Sequence, residues 1–208
     1  MGKNNKQFIV LGVMRSGTSL TAGMLSKMGV DMGVDKKNPD KNNPNGYFED
    51  REIFNLNRMI LTRAGGENWQ PVEINEDLFL LFAGDFKEIG ERKGVWGRKG
   101  GMNLTLDGYM PYLSNPYLVI VYRNPISNIR SLRNYRDIGF EPAMKLVLRY
   151  YQEFLKIITK YPEVPKYYFE FERAKKEPLK IAEELADFMG IELKNKQAIK
   201  DFVYVQRH

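Results

Sequence analysis

Apolar positions along this chain fall into short unbroken runs, separated by stretches in which they recur every three or four residues. The first run, Phe8-Ile9-Val10-Leu11-Gly12-Val13, is β-branched and does not alternate, the pattern of a strand buried on both faces. After a polar turn, Leu20, Met24, Leu25 and Met28 repeat at helical spacing and Gly29 supplies a stop. Tyr117-Leu118-Val119-Ile120-Val121-Tyr122 is the clearest strand, and Pro125 just beyond it suits the first turn of a helix, where its missing N–H costs nothing. Val95-Trp96 marks a short strand and Lys166 to Phe171 a further one. Helices are expected over Glu49 to Leu61, Asn75 to Ile89 and Leu104 to Leu113. A longer one has the apolar face Met144, Val147, Leu148, Tyr151, Leu155 and Ile158, and a last one carries Ile181, Leu185, Phe188 and Met189 up to Gly190. Strands alternating with helices predict an α/β fold of three layers, a central parallel sheet covered by helices on both sides.

Residues 31–48 are dominated by Asp, Lys, Asn, Pro and Gly and read as a long surface loop. With 208 residues, 43% apolar, the chain suits one domain, 1–208. Thirty-two basic against 26 acidic side chains give a net charge of +6, suited to anionic ligands but too dispersed to mean nucleic acid. There is no cysteine and one histidine, His208, so thiolate metal sites and histidine relays are excluded. Met1-Gly2-Lys3-Asn4-Asn5-Lys6-Gln7 leads straight into the first strand without the apolar core of a signal peptide, and no run reaches the roughly 20 apolar residues of a membrane span. A cytoplasmic protein is the expectation; oligomeric state is not legible.

Two stretches carry chemistry. Gly12-Val13-Met14-Arg15-Ser16-Gly17-Thr18-Ser19 joins strand to helix with the Gly-x-x-x-x-Gly spacing of a phosphate-binding loop. The lysine of a nucleoside-triphosphate loop is missing after Gly17, and the cation sits inside the loop as Arg15. In the second, Arg123 leaves the carboxyl end of the central strand, where ligands sit in open α/β sheets. Asn124, Ser127, Asn128 and Ser131 form a polar stripe on the helix that follows, with Ile126, Ile129 and Leu132 turned toward the core. Arg123 and Ser131, two turns apart, could close on a second phosphate.

Together these stretches resemble the sulfotransferase family, with its P-loop nucleotide-hydrolase-like fold. Residues 15–19 resemble the family's 5′-phosphosulfate loop in the arginine form of Golgi-type and bacterial members, and residues 123–131 its 3′-phosphate motif. Asn45-Gly46-Tyr47-Phe48-Glu49-Asp50 resembles the Gly-aromatic-Glu segment of bacterial members, and Lys166 to Glu172 the late strand before a Pro-started helix. Trp96-Gly97-Arg98-Lys99 resembles a segment with a Lys-Asp-Pro-Arg signature, although Gly100-Gly101-Met102 replaces the last three residues. The resemblance implies transfer of sulfonate from 3′-phosphoadenosine 5′-phosphosulfate (PAPS) to an acceptor hydroxyl, small-molecule or glycan, with 3′-phosphoadenosine 5′-phosphate (PAP) as product and the loop 31–48 on the acceptor side. Arg15, Ser16, Gly17, Thr18 and Ser19 would bind the 5′ end, Arg123 and Ser131 the 3′-phosphate, and Lys99 would neutralise the bridging oxygen. A carboxylate base is expected, Glu49 with Glu52 in reserve, although acids in a first helical turn also favour the dipole without any catalysis. No metal is expected, because Arg123 follows the central strand where a magnesium-holding acid would stand. The competing readings are a nucleotide kinase with a degenerate loop and a non-catalytic nucleotide- or RNA-binding module. Lys36-Lys37 and Lys175-Lys176 read as solvated charges, and Gln206-Arg207-His208 as a frayed end.

Overall fold

A computed structural model describes residues 5–34, 38–40 and 43–205. Lys36, Lys37 and residues 206–208 lie outside the described residues. Four strands form one sheet: β1 (Gln7–Gly12), β2 (Trp96–Arg98), β3 (Pro116–Tyr122) and β4 (Lys166–Glu170), in the order β2-β1-β3-β4 and all parallel. Every residue of β1 is buried, as its unalternating run requires. Ile9 and Leu11 of β1, with Leu118 and Ile120 of β3, enter one apolar layer, while Phe8, Val10, Val119 and Val121 enter the other.

The first layer is completed by α2 (Arg51–Arg63), α3 (Glu76–Leu80), α4 (Ala83–Gly90), α5 (Met102–Tyr109), α6 (Pro125–Arg136) and α7 (Phe140–Lys160). The second is completed by α1 (Thr18–Lys27), α8 (Phe171–Lys176), α9 (Pro178–Met189) and α10 (Lys196–Val205). The expected three-layer α/β fold is therefore observed. Because all four strands run the same way, their carboxyl ends deliver Gly12, Arg98, Tyr122 and Glu170, and the segments that follow, to a single edge of the sheet.

Several elements differ from the sequence expectation. The stretch 75–89 is two helices, broken around Leu81 and Phe82, and 104–113 ends in a 3-10 turn, Met110–Tyr112. The long helix α7 buries Ala143, Leu146, Val147, Tyr150, Phe154 and Ile157, whereas Leu148 and Leu155 are exposed. Two neighbouring stripes of α7 are apolar, so spacing alone does not choose between them; the inner stripe is fixed by Phe154 and by the Tyr150 hydroxyl donating to the Asn68 carbonyl at 2.7 Å. Ile126 is exposed, while Ile129 and Leu132 are buried as expected.

Helix α10 has no counterpart among the expected elements, although Ile199, Phe202 and Val203 recur at helical spacing and are buried. It packs against α1 where α1 carries Gly23, and a Cβ there would lie 2.0 Å from the Phe202 ring. Gly23→Ala gains about 1 kcal/mol of helix propensity and loses about 1–3 kcal/mol to overpacking, so the urea midpoint should fall. An unchanged or raised midpoint would mean that α10 does not pack on α1 as described.

Candidate active site

The loop between β1 and α1 is held from outside by side chains that take its backbone groups. Asn103 of α5 accepts from the Gly12 N–H at 2.8 Å and donates back to the Gly12 carbonyl at 3.0 Å. Asn128 of α6 donates to the Met14 carbonyl at 2.9 Å, and Arg123 donates to the Arg15 carbonyl at 3.0 Å. Arg15 and Gly17 both have positive φ, 68° and 107°. At Gly17 a side chain is barred twice, by that φ and by the Phe171 ring, 2.2 Å from where a Cβ would sit. The N–H groups at the start of α1 have no intrahelical acceptor, no side chain among the described residues caps them, and the positive end of the helix dipole points out of the loop. Ser16 Oγ and Arg15 Nε are buried with no hydrogen-bond partner among the described residues. Free amides, a cation and orphaned donors around one turn fit a doubly charged phosphate-type group.

Arg123 follows β3 and is half-buried. Its Nε lies 3.5 Å from a Glu172 carboxylate oxygen, its guanidinium covers the Phe171 ring at 4.7 Å, and its carbonyl accepts from the Tyr151 hydroxyl at 2.9 Å. Burial lowers its pKa, and Glu172 opposes that shift. Asn124 caps α6 as expected, accepting from the Ser127 N–H at 3.1 Å. Ser131 lies two turns along α6, half-buried, and no hydrogen bond joins it to Arg123. Asn128, on the same polar stripe, is fully buried because the loop carbonyl claims it.

Lys99 comes directly after β2, buried to 3% of its side-chain surface, and its Nζ donates to Glu49 Oε1 at 2.8 Å. Glu49 lies before the helix and not in its first turn. Asp50 is the N-cap of α2, accepting from the Glu52 and Ile53 N–H groups. Asp50 in turn lies 3.5 Å from the buried Arg98 guanidinium, which donates to the Asp31 carbonyl at 2.7 Å. Gly100 and Gly101 have φ of 87° and 76°, a double left-handed turn that residues with a Cβ rarely adopt. The turn is clamped by Asn57 of α2, which donates to the Gly100 carbonyl at 2.9 Å and accepts from the Thr105 and Tyr109 hydroxyls, both at 2.8 Å. The glycine pair also leaves room for Glu49, since a Cβ on Gly100 would meet its carboxylate carbon at 3.2 Å. Lys99 is thus anchored by Glu49, from a different segment, where the resemblance leads one to expect neighbours in its own.

Arg15, Thr18, Ser19, Glu49, Lys99 and Asn103 line one cavity of about 200 Å³. Its wall includes Asn43 and Tyr47 from the loop 31–48, Asn68 and Trp69 from the segment after α2, and Gly100 and Gly101. Tyr135 and Arg136 at the end of α6 line it as well, unforeseen from sequence; Arg15 covers the Tyr135 ring at 4.9 Å and Arg136 the Trp69 ring at 4.2 Å. Ser16, Gly17, Arg123 and Ser131 are not part of that wall, and the reserve base Glu52 pairs with Arg92 outside it. Asn57 and Asn103 are not among the residues expected from sequence, although an asparagine on an otherwise apolar helix face is a signal that something buried needs a partner.

No protein-family model and no curated protein sequence matches the chain. Solved structures do. The sulfotransferase domain of the Synechococcus PCC 7002 olefin synthase is 15% identical with a TM-score of 0.57, over 94% of this chain and 77% of that one. Sulfotransferase STF1 from Mycobacterium tuberculosis is 12% identical with a TM-score of 0.56, over 97% and 71%. Mouse sulfotransferase SULT7A1, solved with PAP, is 14% identical with a TM-score of 0.53, over 99% and 64%. The fold is that of the sulfotransferases.

Removing one partner of a buried ion pair strands the other. Glu49→Gln should therefore lower the unfolding free energy by about 3 kcal/mol, read by urea denaturation. A loss under about 0.5 kcal/mol would make the Lys99–Glu49 contact an ordinary surface pair.

Proposed function

We propose that the protein is a sulfotransferase that moves the sulfonate group of PAPS to an acceptor hydroxyl, on a small molecule or a glycan. The observation that carries this reading is the direct tie between its two phosphate-type sites. Arg123, at the end of β3, donates to the carbonyl of Arg15 inside the β1–α1 loop, so two cations belonging to different segments are fixed at one edge of a sulfotransferase fold.

In this reading residues 16–19 and Arg15 hold the 5′-phosphosulfate, the planar fork of Arg15 serving two anionic oxygens. Arg123 and Ser131 hold the 3′-phosphate. The acceptor oxygen bonds to sulfur as the bond from sulfur to the bridging oxygen breaks, and PAP leaves with that electron pair. Lys99 offsets the charge growing on the bridging oxygen, and Glu49 takes the acceptor's proton. Glu49 is favoured over Glu52 because it shares the cavity wall with Lys99 and Arg15. The Lys99–Glu49 pair also limits the positive charge that the pocket accumulates. Trp69, Tyr135 and Tyr47 offer flat faces to a ring-shaped acceptor, with Asn43 and Asn68 among them as hydrogen-bonding groups.

Thermal unfolding with PAP, without magnesium, tests the reading. PAP should raise the midpoint of the native protein, and Arg123→Ala should abolish that response while leaving the smaller one to AMP. A shift only with ATP and magnesium would favour a kinase, and salt-sensitive RNA binding without a PAP response a binding module. With labelled PAPS and pooled saccharide and phenol acceptors, Lys99→Ala should lower kcat by about 100-fold with a smaller change in the donor KM. A loss confined to KM would remove Lys99 from the chemical step.

A further inference from the structure

The carboxylate of Glu172 does at Arg123 what a phosphate would do. It comes from α8, which begins where β4 ends, and the sheet brings that end beside the end of β3. One oxygen lies 3.5 Å from Arg123 Nε and the other accepts from the Asn124 N–H, at the start of the 12-residue helix α6, at 3.2 Å. A single side-chain anion thus bridges a half-buried guanidinium, the one assigned to the 3′-phosphate in the proposed function, and the amide beside it at the start of a helix. The fit is loose: at 3.5 Å the contact is an ion pair, and Arg123 Nε is buried without a hydrogen bond among the described residues. The Glu172 side chain keeps 35% of its surface exposed, so it already borders the solvent into which it would turn.

We propose that Glu172 is an internal stand-in for the nucleotide's 3′-phosphate, holding Arg123 in place and yielding it when the nucleotide binds. The inference rests on the sulfotransferase reading and adds a determinant to it. A bound 3′-phosphate beside an unmoved carboxylate would bring two anions to one cation. Binding therefore carries the cost of displacing Glu172, and release of PAP is helped by its return. Arg123 itself does not drift meanwhile, because its Nη1 stays on the Arg15 carbonyl and its face on Phe171. Glu172 thereby weakens binding of nucleotides with a 3′-phosphate and leaves those without one untouched.

Titration calorimetry of PAP and of AMP into the native protein, Glu172→Gln and Glu172→Ala tests this. Both variants should bind PAP about three- to tenfold more tightly than the native protein, with AMP affinity unchanged. The gain should shrink at high salt, where a half-exposed charge is screened. A merely structural Glu172 would alter both nucleotides alike. Equal or weaker PAP binding by both variants would overturn the inference while leaving the function standing. Absence of PAP binding by the native protein and both variants would instead remove the proposed function, and the inference with it.

Discussion

The site depends on how the carbonyls of one loop are occupied. A strand-to-helix turn must place every backbone polar group somewhere, and here the Gly12, Met14 and Arg15 carbonyls are taken by Asn103 of α5 and by Asn128 and Arg123 of the β3–α6 stretch. With those carbonyls satisfied and Gly17 left-handed, the amides at the start of α1 are left to face outward together. A glycine-rich spacing alone would not ensure this. In the proposed function the loop serves as an anion cradle, because a buried polar frame around it leaves it no other use for those donors.

Around that cradle three cations carry their own carboxylates. Arg98 has Asp50, Lys99 has Glu49 and Arg123 has Glu172. Among the described residues Arg15 alone of the three cations assigned to the donor lacks an acidic partner, and lies instead over the Tyr135 ring. Buried charge is expensive unless paired, so a site assembled from internal pairs around one arginine without an acidic partner among the described residues is tolerable to the fold and, in the proposed function, leaves one point to attract an anion. Glu49 and Glu172 are in this sense counterions as well as candidate participants, and sequence spacing alone gives no sign of that.

The strands and the two chemical stretches are legible in the amino-acid sequence. Unalternating runs identify the strands because a parallel sheet with both faces covered admits little else, and the positions of Gly12, Gly17, Arg15 and Arg123 at strand ends follow from them. Long-range partnerships are not legible. Glu49 lies fifty residues from Lys99, and Gly100-Gly101 reads in sequence as a lost motif, whereas in the fold it is the gap that lets Glu49 in. The expected face of α7 holds at Val147, and at Met144, Tyr151 and Ile158, which pack against the core, but fails at Leu148 and Leu155, which are as apolar as Tyr150 and Phe154, so that only the tertiary partner of Tyr150 decides. Helix α10 is legible in its spacing, through Ile199, Phe202 and Val203, yet is missing from the expected elements.

The most direct measurement is a crystal structure of the protein with PAP bound. The account requires the 5′-phosphate on the amides at the start of α1 beside Arg15, the 3′-phosphate on Arg123, and the Glu172 carboxylate turned away. Nucleotide density lying away from both arginines, or with its 3′-phosphate out of reach of Arg123, would contradict it.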